Sequence, residues 1–330
     1  MISYIIRRLL YMIVILLAIS VAAFIIIQLP PGDTVTSYIA EFEAMGTRVG
    51  DTMAIALRKQ YGLDLPMYLQ YFKWMRGILH GDFGISFQWQ RPASELIGER
   101  LPLTVIISIF SLVFTYLMAI PIGIYSATHQ YSISDYTFTV IGFIGLATPN
   151  FLLALILMFL SYKYFGLSIG GLFSSRYLMA SWSIDRFVDM LRHLPVPIVV
   201  IGTAGTAWLI RVMRGCLLDE LRKQYVITAR AKGVAERTLL FKYPVRLAIN
   251  PIISTIGWTL PAIVSGETIV AIVLGLPTMG PLLFDALLSQ DTYLAANSIM
   301  LLTFLTVIGT FISDLLLAWM DPRIRYEKSR

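Results

Sequence analysis

The sequence predicts an all-α polytopic membrane protein with six transmembrane helices. Three observations carry that reading. Hydrophobic residues make up 57% of the 330 positions and charged residues 14%, against about 45–50% and 25% in soluble domains. No soluble chain of this length could bury so much apolar surface. Apolar runs long enough to cross a bilayer recur along the chain. Finally, one densely charged interval, Asp219 to Pro244, is caught between two of those runs.

Arg7 and Arg8 precede an apolar run of 21 residues, Leu9 to Leu29. A secretory signal has an apolar core of only about 7–15 residues, so the run reads as an uncleaved first span within region 1–29. Ser20, Ala22 and Ala23 leave cleavage as the minor alternative. Region 30–100 is the one substantial segment outside the membrane. Pro30-Pro31-Gly32-Asp33 ends the first span. Met53 to Tyr61 and Met67 to Leu79 have helical apolar spacing. Tyr68, Tyr71, Phe72 and Trp74 form an aromatic face suited to the headgroup layer or to packing between these helices, and less well to touching a sugar or peptide.

Region 101–330 holds the remaining five spans. The second is Leu101 to Ala127, followed by a short polar loop, Thr128 to Thr137. The third, Phe138 to Tyr164, is interrupted at Thr148-Pro149-Asn150. That proline frees a backbone carbonyl, which favours a packing kink over a bend lining a path. Leu167 to His193 reads as an outer loop with Trp182, Asp185, Arg186 and Asp189. The fourth span is Pro195 to Met213, the fifth Ile249 to about Leu274 and the sixth Tyr293 to Trp319. With both termini inside, 15 of the 26 basic residues fall on the cytoplasmic side, including Arg211 and Arg214. The loop at Thr128 to Thr137 carries no Lys or Arg and gives that orientation no support.

The charged interval reads DELRKQYVITARAKGVAERTLLFKYP. Gly233 interrupts it and Pro244 stops it, which predicts two short helices joined by a tight bend. Small residues at Ala229 and Ala231 would let another backbone come close, and the basic positions could select an acidic partner. A plain solvated loop fits the composition equally well. A DNA-binding helix-turn-helix does not fit, because both flanks enter the bilayer within a few residues. The formal charge of +6 follows from topology, with no nucleic-acid partner.

Tyr225, Thr228, Ala229, Arg230, Ala231, Lys232 and Gly233 resemble the Tyr-x-x-Thr-Ala-Arg-Ala-Lys-Gly form of the EAA loop in permeases of ATP-binding-cassette importers, in the dipeptide/oligopeptide/nickel branch. Tyr243-Pro244 approximates the Leu-Pro that ends the pattern. Pro31-Gly32-Asp33, Tyr61-Gly62-Leu63-Asp64-Leu65-Pro66, Gln70-Tyr71, Gly81-Asp82-Phe83-Gly84-Ile85-Ser86 and the tail Asp321-Pro322-Arg323 are similar to further landmarks of that branch. The resemblance implies a type I importer permease fold in a bacterial cytoplasmic (inner) membrane. It implies that loop 219–244, with Glu236 and Pro244, docks in a groove of a separate ATPase subunit. A second homologous permease, two ATPase subunits and an extracytoplasmic substrate-binding protein would complete the assembly. ATP and Mg would be bound by the ATPases and no cofactor by this chain.

Chemistry within the chain is not expected. It contains no Gly-Lys dipeptide and so no Walker A loop. His80, His129, His193 and the single Cys216 have no zinc-like spacing, and no nucleophile–base pair suggests a membrane-embedded enzyme. A stand-alone secondary transporter would need intramembrane ions or an inverted repeat. The two acids deepest in apolar sequence are Glu267 and Asp314, and each should face protein or water. Glu267-Thr268, with Pro149 and Asn150, is a candidate for the translocation path; glue between helices is the equal alternative for Glu267, and the preferred one for Asp314. The stretch after Glu267-Thr268, 269–280, is about four residues longer than the branch's common form, or about one helical turn. Peptides are the expected cargo, with oligosaccharides, opines and nickel as alternatives.

Overall fold

Prolines and capping residues divide the described chain into fourteen α-helices and one short 3-10 turn at Ser175–Tyr177. The computed structural model describes residues 2–29, 35–36, 39, 55–56, 58–59, 62, 64–166, 169–178, 180–266 and 268–320. Pro31-Gly32-Asp33, the expected helix from Met53 to Tyr61, Glu267 and the Asp321-Pro322-Arg323 tail lie wholly or largely outside them.

Four helices are long and apolar enough to cross a membrane: α1 (Ile2–Gln28), α3 (Ala93–Thr128), α7 (Pro195–Leu221) and α14 (Thr292–Met320). Two bent pairs bring the number to six if each is one span. The chain is therefore a multi-pass integral membrane protein. The first pair, α4 (Ile133–Ala147) and α5 (Asn150–Phe165), turns by 103°. A kink inside one continuous helix was expected here; the structure has a full break. Thr148 takes an extended conformation, φ −88 and ψ 119, the one a following proline favours. Its hydroxyl and amide both donate to the Ile144 carbonyl, and Pro149 then starts α5.

The expected fifth span, 249–274, is divided among α10 (Pro244–Ser254), α11 (Ile256–Gly266) and α12 (Thr268–Leu274). Pro251 inside α10 lacks the amide that would extend the hydrogen-bond ladder. Ser254 and Thr255 back-bond to the Pro251 and Ile252 carbonyls where the helix ends. The second apolar pair lies further on, α12 followed by α13 (Met279–Leu288). The expected outer loop, 167–193, also contains a helix, α6 (Ile184–His193), capped by the Ser183 hydroxyl. The buried Asp189 carboxylate accepts from the Ser174 amide and hydroxyl at 2.7 and 2.6 Å. The Arg186 guanidinium lies over the Phe173 and Trp182 rings.

The chain forms two compact units. One comprises Ile6–Thr104 and Pro277–Val307. Its apolar core joins Leu96 and Ile97 of α3 to Met279 and Leu282 of α13 and Leu294 of α14. Polar bonds fix the segment that leads into α3. Asp291, fully buried, accepts from the Ser86 hydroxyl at 2.6 Å, the Phe87 amide at 2.8 Å and the Leu294 amide at 3.2 Å. Asn297 accepts from the Trp74 indole at 2.9 Å and donates to the Phe83 carbonyl at 2.6 Å. The aromatic face of α2 (Met67–Leu79) is thereby split. Trp74 and Tyr71 pack with Phe24, and Tyr71 bonds the Ser20 hydroxyl, whereas Tyr68 and Phe72 stay exposed.

The other unit comprises Met1–Ile5, Val105–Leu276 and Ile308–Arg330. Its core lies along α7, with Leu209, Met213 and Leu217 packed against Ala119 of α3 and Val245, Ala248 and Ile252 of α10. Beside α4, a Cβ placed on Gly145 would lie 3.0 Å from the Thr203 methyl of α7, so that side chain seats against bare α4 backbone.

Candidate functional site

The charged interval folds as the two short helices its sequence predicts, α8 (Gln224–Ala231) and α9 (Glu236–Lys242). The bend between them is a Schellman motif. The Gly233 amide donates to the Arg230 carbonyl at 3.0 Å and the Val234 amide to the Ala229 carbonyl at 3.3 Å. These bonds satisfy the last carbonyls of α8 and require a left-handed residue at Gly233, whose φ is +75. Nothing lies within 4 Å of a Cβ built there, so the restriction is conformational and there is room for a partner.

Val226 and Leu239 are fully buried and anchor one side of the pair. The opposite side is solvent-facing. Thr228, Arg230, Ala231, Lys232, Gly233 and Glu236 are exposed, Tyr225 and Ala229 half-buried. Ile227 and Phe241 add exposed apolar surface at 48% and 55%, more than an isolated charged loop needs. Pro244 differs from the other predicted positions. It is buried as a first-turn residue of α10, where a missing amide costs nothing.

Electrostatics tie the bent pair together and to α7. Arg230 forms a two-pronged pair with Glu236, at 2.6 and 3.2 Å, across the Gly233 turn. That bond holds the Glu236 carboxyl below its ordinary range. At the end of α7, Glu220 accepts from Lys223 at 2.6 Å and from the Tyr225 hydroxyl at 2.6 Å. Burial, then the Glu220 carboxylate, push the Tyr225 phenol far above its ordinary value. The Tyr225 hydroxyl is the donor in that bond. Sequence reasoning passed over Glu220; its spacing of five from Tyr225 spans the helix end, so no single-helix pattern reveals it.

A cavity of about 360 Å³ lies within the same unit, bordered by Thr115, Asn150, Ile201, Trp208, Trp258 and Thr259, among others. The Trp208 and Trp258 rings meet edge to face, 4.8 Å between centroids. Of the predicted path residues, Asn150 reaches this cavity because the break at Pro149 places it on the first turn of α5. Thr268 sits half-buried on α12 and is not among the cavity's lining residues. Glu267 lies outside the described residues. Asp314 is half-buried on α14; its neighbour Ser313 donates to the Ile253 carbonyl. The two tryptophans were not singled out from the sequence, although paired indoles within apolar runs, away from the interfacial belts, are a usable signal. The lining offers hydroxyls, one amide and apolar surface. Its chemistry is that of a neutral, largely apolar surface. Among the described residues no group of His, Cys, Asp and Glu is arranged to hold a metal.

Comparison with known proteins covers the chain from end to end. Residues 119–326 match the family model for the binding-protein-dependent transport system inner membrane component, and residues 1–108 match the model for the N-terminal part of such membrane components. The oligopeptide transport system permease protein AppB of Bacillus subtilis is 37% identical over 99% of this chain and 100% of its own length. A putative peptide permease protein of Brucella ovis is 33% identical over 98% and 99%. The dipeptide transport system permease protein DppB of Escherichia coli K12 is 27% identical over 99% and 100%. The chain thus belongs to the family of inner membrane components of binding-protein-dependent transport systems.

Proposed function

We propose that this chain is the membrane permease subunit of an ATP-driven importer that takes up peptides delivered by an extracytoplasmic binding protein. The observation that carries the reading is the end-to-end match to peptide permeases, joined to an exposed, Schellman-bent helix pair at the sequence positions of the coupling loop. The pair supplies what a docking element needs. It has a rigid bend, a solvent-facing row of small and basic residues, and apolar positions Ile227 and Phe241 left uncovered by its own fold. Its partner is an ATPase subunit with a complementary groove, which binds the ATP and Mg. A second, homologous permease completes the pore in the bacterial inner membrane.

This chain performs no bond chemistry. ATPase closure moves α8 and α9, and α7 carries that displacement into the spans. Two discrete arrangements of the helices then open the cavity alternately to either side. The cavity's neutral lining suits a cargo of varied side chains, because no fixed charge would trap or reject it in transit. Peptides are favoured over sugars, opines and nickel because the relatives above are named peptide permeases, while the longer stretch 269–280 is where cargo preference would diverge.

Reconstitution tests the reading. The chain, co-expressed with its companion permease, ATPases and binding protein in proteoliposomes, should accumulate radiolabelled di- to hexapeptides only with ATP and the binding protein present. Ion-gradient-driven uptake by this chain alone would overturn it. Competition by oligosaccharides, opines or nickel, with peptides inert, would keep the importer and change the cargo.

A further inference from the structure

Helices α4 and α7 run antiparallel and are joined at matched positions along their length. Gly145 faces Thr203 and Gly142 faces Ala207. The Arg211 guanidinium covers the Phe143 ring at 4.7 Å. At the far end Arg214 grips Asp135 with both prongs, Nε to Oδ1 at 3.0 Å and Nη2 to Oδ2 at 2.9 Å. Thr203, Ala207, Arg211 and Arg214 follow three- and four-residue spacing, so a single stripe of α7 makes every one of these contacts.

The Asp135 end is the most constrained. Asp135 is 3% exposed. Besides Arg214, its carboxylate accepts the Tyr131 amide at 3.1 Å, and its own amide donates to the Ser132 hydroxyl that caps α4. A forked guanidinium–carboxylate pair fixes direction as well as distance; its carboxylate is buried, while the Arg214 side chain keeps 27% of its surface exposed. On the same helix, six residues further on, Glu220 holds the start of α8 through Tyr225 and Lys223. Six residues of helix span about 9 Å. The bent helix pair and the broken third span are therefore fastened to the same short, rigid piece of α7. At the other end of α4 lies the break at Thr148-Pro149 that puts Asn150 on the cavity.

We propose that the Asp135–Arg214 pair is the clamp that transmits displacement of the α8–α9 element to α4, and through the Pro149 break to the cavity; this rests on the importer reading above. Asp135 and Arg214 are positioning residues. The apolar and glycine contacts permit α4 to slide or turn along α7, since dispersion contacts have little directionality, whereas the forked pair does not. With the pair intact, α4 and α7 move as one body. Without it, α7 can respond to the ATPase while α4 stays behind.

The test uses the complete transporter in proteoliposomes, with radiolabelled di- to hexapeptides as cargo, and reads peptide imported per ATP hydrolysed. Asp135→Asn and Arg214→Gln should each lower that ratio at least about fivefold while ATP hydrolysis and co-purifying ATPase stay at wild-type levels. The double variant should be no worse than either single, because both remove the same bond. Arg214→Lys keeps the charge without the fork and should fall between. An unchanged ratio in assembled variants would overturn the clamp. So would additive losses, or loss of assembly in every variant including Arg214→Lys, which would make the pair structural only. A wild-type transporter that imports no peptide under ATP would instead defeat the importer reading, a separate outcome.

Discussion

The α8–α9 element and the Asp291–Asn297 region use polar groups in opposite ways. Around Asp291 and Asn297 the groups are buried, each has several partners, and the partners come from segments some 200 residues apart. In α8–α9 the ion pairs lie on the surface and join near neighbours, as Arg230 does with Glu236. Buried networks fix one arrangement at the risk of a large loss when a member is removed. Surface pairs contribute little to stability and leave their atoms available to a partner. The contrast separates a region locked in one arrangement from one whose polar groups stay exposed, as the proposed docking role requires.

The largest effect should come from Asp291→Ala. It strands the Ser86 hydroxyl and the Phe87 amide in a dry site and removes the cap at Leu294. The loss should be about 3–5 kcal/mol, read as a large fall in the melting temperature of the detergent-solubilised protein. A variant that melts within two degrees or so of wild type would erase the distinction between the two regions. Trp74→Phe keeps the ring packing but leaves Asn297 Oδ1 without its donor. It should cost about 1–2 kcal/mol by the same measurement.

At the other region the stability cost shrinks while the functional cost should grow. Gly233→Val forces a β-branched residue to a left-handed φ and should cost about 1–2 kcal/mol locally. Membrane insertion should be retained and peptide uptake per ATP largely lost. Ala229→Arg, which adds bulk to the half-buried small position, should show the same uncoupling without the backbone strain. Normal uptake in both would mean that the helix pair does not carry coupling. The smallest effect on stability is expected of Arg230→Ala, whose pair with Glu236 is solvent-exposed. Its melting temperature should match wild type, so any loss of uptake would report on partner contact alone.

Much of this was legible in the chain itself. Composition and run length require a membrane protein. Arg-Ala-Lys-Gly followed within a dozen residues by Tyr-Pro encodes the bend locally, since Gly233 alone can cheaply adopt the conformation that a Schellman end requires. The end of α4 at Thr148 is also favoured locally, because Pro149 has no amide to donate and crowds the preceding turn.

How sharply the chain turns after that point was not local. Proline stops a helix, but the neighbours α4 and α5 pack against decide whether the result is a kink or a 103° break. The paired indoles of the cavity, the Asp135–Arg214 fork and the Asp291 network were likewise settled only by tertiary structure. Their partners are 50, 79 and 205 positions apart. Short-range rules act through backbone dihedrals and helix periodicity and reach about one turn. Which distant side chain satisfies a buried charge is decided by the packing of whole helices, after those local choices have been made.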